Sequence, residues 1–190
     1  MNQFRYFSDE NFRFNLIKGQ IAKEAVRGLL EQAHYQVYPF GYESTISKLR
    51  SDVQQKRVPH SDSNDRVRSM PDLMVYDESK RETTFVEVKF RKTESAEQVK
   101  LNTIELNRIS KFWNDCLVVV VIPIDHFFFC QWISKIRMFA EQKSHQYDLL
   151  KEFEPIEDHF PGTREHLARY RSILDQFKSV LKVEQEDEEQ

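Results

Sequence analysis

Asp72 follows Pro71 at the head of an apolar run, Leu73-Met74-Val75-Tyr76, and Glu87, Val88 and Lys89 sit inside a second run from Thr84 to Phe90. Both runs read as strands, and Asp77-Glu78-Ser79-Lys80-Arg81 between them suits a hairpin turn. Side chains alternate across a strand, so Phe85, Glu87 and Lys89 share one face, and Val86, Val88 and Phe90 share the other. The second face reads as core. The first carries a carboxylate and an ammonium about 7 Å apart, twice the strand rise per residue. A hairpin brings Asp72 beside Glu87. Two carboxylates facing one point, with a lysine next to them, suit a hard divalent cation and a water.

Several elements must position that set. Residues 14 to about 33 read as an amphipathic helix, with Phe14, Ile17, Ile21, Ala25 and Gly28 or Leu29 at helical spacing. Glu24 falls at the edge of this stripe, where a carboxylate needs a partner, a metal or a route to water. Gly19 and Gly28 inside a helix cost about 1 kcal/mol each relative to alanine, which suggests close approach of another backbone. Tyr35 to Tyr42 reads as a first strand, with Pro39 favouring an edge. Residues 44–55 suit a short helix, and 56–70 a long polar loop at the site mouth. Residues 96–113 read as a helix leading into the strand 116–122, with a further apolar strand over 125–132. Residues 133–153 read as helical and 155–162 as a break. Thr163 is the expected cap of a last helix. In that helix Leu167, Tyr170, Leu174, Phe177 and Leu181 form a stripe for the domain itself or for a second subunit.

Pro71-Asp72 and Glu87-Val88-Lys89 resemble the PD-(D/E)xK nuclease superfamily, the restriction-endonuclease-like fold. The stretch Asn15 to Glu24, with Gly19 five positions before Glu24, is similar to the first helix of its archaeal Holliday-junction resolvase branch. The resemblance covers residues 13 to 133. It implies an α/β fold, a mixed sheet flanked by helices in the order α-β-β-β-α-β, with a C-terminal helical extension. The expected divisions are a core over 1–133, the extension over 134–183 and an acidic tail over 184–190. It also implies phosphodiester hydrolysis with Mg²⁺, or Mn²⁺ in its place. Asp72 and Glu87 would bind the ion, joined by the Val88 carbonyl and by Glu24. Lys89 would orient the attacking water or steady developing charge, since the neighbouring carboxylates oppose a neutral lysine base. Glu43 and Gln98 are further candidates. A glutamine after the lysine occurs in the RecB-like branch, but the tyrosine expected four residues later is Asn102 here.

Each residue also has a plainer role taken singly. Glu87 and Lys89 suit an exposed strand pair, Asp72 a strand start, and Glu24 a helix rim. Composition narrows the classes. The chain has 190 residues, 31% of them charged, and no apolar run long enough to span a bilayer, so a cytoplasmic protein is expected. The start has no signal-peptide layout. Cys116 and Cys130, the only cysteines, read as buried thiols and not as a disulfide or zinc set. Four glycines leave no phosphate-binding loop. Net charge is −3, but five acids lie in the last seven residues, and without them the balance is +2. Arg66, Arg68, Arg91 and Lys92 near the motif are the expected nucleic-acid contacts. DNA, including structured or branched DNA, is the expected partner, and a homodimer is one arrangement open to the chain. Two alternatives share the same residues: a non-catalytic nucleic-acid-binding or scaffolding subunit, and an RNA-processing endonuclease.

Overall fold

Alternating apolar residues build one six-stranded mixed sheet with a hydrophobic core on each face. The structure, a computed structural model, describes residues 9–41, 61–93, 95–122, 128–136 and 143–182. In chain order come α1 (Asp9–Gln32), β1 (Gln36–Pro39), α2 (Asp62–Arg68), β2 (Leu73–Asp77), β3 (Glu82–Phe90) and β4 (Val99–Leu101). There follow α3 (Thr103–Phe112), β5 (Cys116–Val121), β6 (Phe128–Trp132), β7 (His145–Tyr147), α4 (Leu149–Glu152), β8 (Glu154–Pro155), α5 (Ile156–His159) and α6 (Leu167–Lys182). The sheet order is β1-β2-β3-β5-β6-β8, and β4 pairs with β7 in a separate two-stranded sheet. Among the described residues, only the β3–β5 pair is parallel. The expected α-β-β-β-α-β core order is present, with α2 and β4 inserted.

The two faces of β5 assign the two cores. Leu117, Val119 and Val121 join Val86, Val88, Leu73 and Val75 under Ala22, Val26, Leu29 and Leu30 of α1. Cys116, Val118 and Val120 pack on the opposite side against Leu106 and Ile109 of α3, with Tyr147, Leu149 and Phe153. Six consecutive buried residues in β5 follow from its place between two covered faces. Ile156, Phe160, Leu167, Tyr170 and Leu174 complete the first core, so both cores draw on residues beyond 133. The stripe of the last helix, as far as Leu174, therefore packs on its own chain.

Several expectations are corrected. The loop expected over 56–70 holds α2 from Asp62 on. Ser61 caps it by accepting from the Asn64 N–H, and Arg66 and Arg68 close its last turn. The helix expected over 96–113 begins only at Thr103. Asn102 caps it, and upstream Val99 and Leu101 bury alternate side chains as β4. Where a helix is expected over 133–153, the described residues form a 3₁₀ turn at Ile133–Lys135, the strand β7 and the four-residue α4. Thr163 does not cap α6; its buried hydroxyl donates to the Phe160 carbonyl. The strand expected over 35–42 spans only Gln36–Pro39. The helix expected over 44–55, Glu43 and the acidic tail lie outside the described residues.

The expectation for the two helix glycines also changes. A Cβ on Gly19 would meet nothing within 4 Å, whereas one on Gly28 would stand 2.7 Å from the Tyr170 hydroxyl. The close neighbour of Gly28 is thus a side chain, not a backbone. Cys116 and Cys130 are both free and buried, as expected of thiols in apolar strands. Among the described residues no helix is long and apolar enough to cross a membrane.

Candidate active site

The hairpin pairing sets the geometry. β2 and β3 are antiparallel, with Leu73 opposite Val86 as the last paired step. The same register puts Asp72 opposite Glu87, just where the ladder opens. The Val88 N–H donates to Asp72 Oδ2 at 2.9 Å, which locks the aspartate against β3. In an antiparallel ladder a residue's N–H and C=O point to the same edge, so the Val88 carbonyl also faces the Asp72 side. Glu87 and Lys89 emerge on the α3 face, as alternation requires. Their side chains are only 9% and 11% exposed.

Lys89 Nζ lies 2.5 Å from Glu87 Oε1 and 2.5 Å from Glu105 Oε1. Glu105 is in the first turn of α3, where Asn102 Oδ1 accepts from the Ile104 and Glu105 N–H groups. On the other wall, Lys23 Nζ of α1 reaches Asp72 Oδ1 at 2.6 Å. These groups line a cleft of about 960 Å³ whose other charged walls are Lys18, Glu24, Arg68, Arg91 and Arg108.

The electrostatics follow from burial. Glu87 has its pKa raised from 4.5 to about 7, first by burial and then by the Asp72 charge, against the pull of Lys89. For Lys89, burial is the largest single influence and works against the ammonium. Glu87, Glu105 and Asp72 together outweigh it, so its pKa is raised. Lys89 is therefore a cation at neutral pH. Burial also opposes the charge on Glu105, but Lys89, Arg91 and Arg108 together hold its pKa down.

The remaining expected residues are placed as follows. Glu24 lies on the cleft wall, but its side chain is 57% exposed. Its carboxylate accepts from Gln20 Nε2 at 3.0 Å and stands 3.8 Å from the Arg27 guanidinium. Glu24, expected to join Asp72 and Glu87 on the ion, thus has its polar partners on its own helix, and the α1 side chain that contacts Asp72 is Lys23. Arg68 lines the cleft and pairs with Asp65 at 3.6 Å. Arg91 lines it too, yet its guanidinium donates to the Phe90 and Lys100 carbonyls. Arg66 sits 5.8 Å over the Trp113 ring, off the cleft lining. Lys92 is exposed and also off the lining. Gln98 is exposed at the end of a 3₁₀ turn. The cleft cations that the sequence reading missed are Lys18, Lys23 and Arg108.

Among the described residues, no three His, Cys, Asp or Glu side chains converge closely enough to cage a metal. The donor set still fits a magnesium-type ion, which needs few protein oxygens and keeps several waters. Asp72 and Glu87 supply hard oxygens, and a divalent charge would relieve the burial that drives Glu87 toward its neutral form.

No protein-family model matches the chain, and no curated protein matches it. Among solved structures it is similar to a Holliday junction resolvase, Hjc of the archaeal hyperthermophile Archaeoglobus fulgidus. The identity is 13%, the match covers 76% of this chain and 96% of that one, and the TM-score is 0.49.

Proposed function

We propose that this chain is a divalent-metal-dependent nuclease that hydrolyses phosphodiester bonds. The observation that carries the reading is the meeting of Asp72, Glu87 and Lys89 in one cleft with cationic walls. Each has a plain structural role alone. Together they put two hard-oxygen ligands and a fixed ammonium within reach of one phosphate.

Asp72 and Glu87, with the Val88 carbonyl, would hold Mg²⁺ or Mn²⁺, which would polarise the scissile phosphate and acidify a bound water, whose proton would pass to bulk solvent as the water attacks. Lys89 stays protonated, so it donates hydrogen bonds to the attacking water or to developing negative charge and does not abstract a proton. Lys18, Arg68 and Arg108 are suited to backbone phosphates on either side. Glu24 has its own partners, and we assign it no direct bond to the ion. DNA is the first polymer to test, with branched DNA included because of the sequence resemblance. RNA shares the same chemistry.

The test is cleavage of single-stranded, duplex and branched DNA and RNA with Mg²⁺ or Mn²⁺. Asp72→Asn, Glu87→Gln and Lys89→Met should each lose at least about 100-fold in kcat, and their combinations should lose little more. Undiminished cleavage by Asp72→Asn would rule the mechanism out. One observation favours a second reading, a non-catalytic nucleic-acid-binding module. Lys23 and Lys89 already neutralise Asp72 and Glu87 within the protein. Nucleic-acid binding without cation binding would establish that reading instead.

A further inference from the structure

Lys89 has two carboxylate partners, and the proposed chemistry uses only one of them. Glu105 is 33% exposed, yet its carboxylate contacts the Lys89 ammonium as closely as Glu87 does. Its place is fixed by local structure. Asn102 anchors the start of α3, and Leu106 and Ile109 bury the helix in the second core. The ammonium thus bridges two carboxylates, of which Glu87 feels the charge of Asp72.

We propose that Glu105 is a positioning residue that holds the Lys89 ammonium so that Glu87 is free to carry a divalent cation. The inference rests on the metal-site reading above. A cation on Glu87 stands close to the Lys89 charge, and the two positive charges compete for one carboxylate. Glu105 gives the ammonium a second anion that a cation between Asp72 and Glu87 does not engage. Without Glu105, the Lys89 ammonium depends on Glu87 and Asp72, the two carboxylates the ion would bind, and opposes the ion directly. Glu105 therefore supports cation binding without touching the cation, and it acts through Lys89.

A double-mutant cycle read by calorimetric titration of the full chain with Mn²⁺ tests this. Glu105→Gln should weaken Mn²⁺ binding by roughly tenfold, the usual cost of losing a partner just outside the coordination sphere. Glu105→Asp, which keeps the charge, should lose less. In a Lys89→Met background Glu105→Gln should change the affinity by less than about twofold, because the group it acts through is gone. Thermal melting of each variant checks the fold. An equal loss in both backgrounds would make Glu105 a ligand in its own right and overturn the proposal. Unchanged Mn²⁺ affinity in Glu105→Gln would do the same. If the wild-type chain itself binds no Mn²⁺, the metal-site reading fails first, and this proposal falls with it.

Discussion

At the scale of single residues, Glu87 gives the most accessible prediction. The unfolded chain releases this proton near 4.5, whereas burial and Asp72 hold it in the folded protein until about pH 7. Between those values the folded state binds more protons, so this residue makes stability fall as pH rises through the window. The effect is on the order of 3 kcal/mol. Urea unfolding in EDTA at pH 5 and pH 8 should find Glu87→Gln less pH-dependent than wild type, and more stable at pH 8. A variant as pH-dependent as wild type would show that Glu87 ionises normally. Lys23 makes a second case. It covers one oxygen of Asp72, so Lys23→Ala should tighten Mn²⁺ binding by roughly fivefold, about 1 kcal/mol for a partly screened charge. Weaker binding in that variant would mean that Lys23 does not compete for Asp72.

The alternation that put Glu87 and Lys89 on one face was legible because a period of two leaves no freedom of phase. The helix was less forgiving. The stripe read through Ile17, Ile21, Ala25 and Leu29 shares Ala25 and Leu29 with the buried face, but that face is centred on Ala22, Val26, Leu29 and Leu30 and Ile17 is exposed, so the stripe as a whole is rotated by about 100°, the turn of one residue. That rotation brings Lys23 to the border of the buried face and carries Glu24 out to solvent. Glu105 had a local signal, Asn102 before Thr103 and Ile104, but the stretch was read as one longer helix.

At the scale of elements, α1 contains a controlled comparison. Gly19 and Gly28 share a helix, yet only Gly28 has a near neighbour. Gly19→Ala should stabilise the protein by about 1 kcal/mol, the difference in helix propensity. Gly28→Ala should destabilise it by about 1 kcal/mol, because crowding Tyr170 outweighs the same gain. Urea denaturation of both variants reads the two signs, and equal effects would remove the steric explanation. The end of α1 offers a third substitution. His34 has φ 66°, and the Tyr35 and His34 N–H groups donate to the Leu30 and Glu31 carbonyls, which makes a left-handed helix stop. His34→Gly should add about 1 kcal/mol by removing a side chain from that conformation. The elements that escaped the sequence reading are the short ones. α4 has four residues and its stop signals are close together, so the polar stretch around it imitated one long helix. The Asp148 cap, which accepts from the Leu150 N–H, is what divides it.

At the scale of the whole molecule, the last helix is part of the core that positions the site. Tyr170 and Leu174 pack in one cluster with Val26 and Leu29. A chain ending at residue 166 exposes that face of α1, and it should lose cooperative thermal unfolding by circular dichroism. A sharp transition near the wild-type midpoint would show that the helix is dispensable. The β3–β5 pairing orders events in time. Asp72 and Glu87 meet at the open end of a hairpin that can zip from the close Asp77–Glu82 pair, while Lys89 and Glu105, at nearly the same sequence separation, meet only when α3 packs in the second core with β5, whose pairs with β3 lie much farther apart in the chain. Local contacts close first because their loops cost less entropy. Val75→Ala in the hairpin should therefore slow folding, and Ile109→Ala in α3 should chiefly speed unfolding. The two carboxylates then come together early in folding, and the lysine exchanges one acid partner for two only in the final steps.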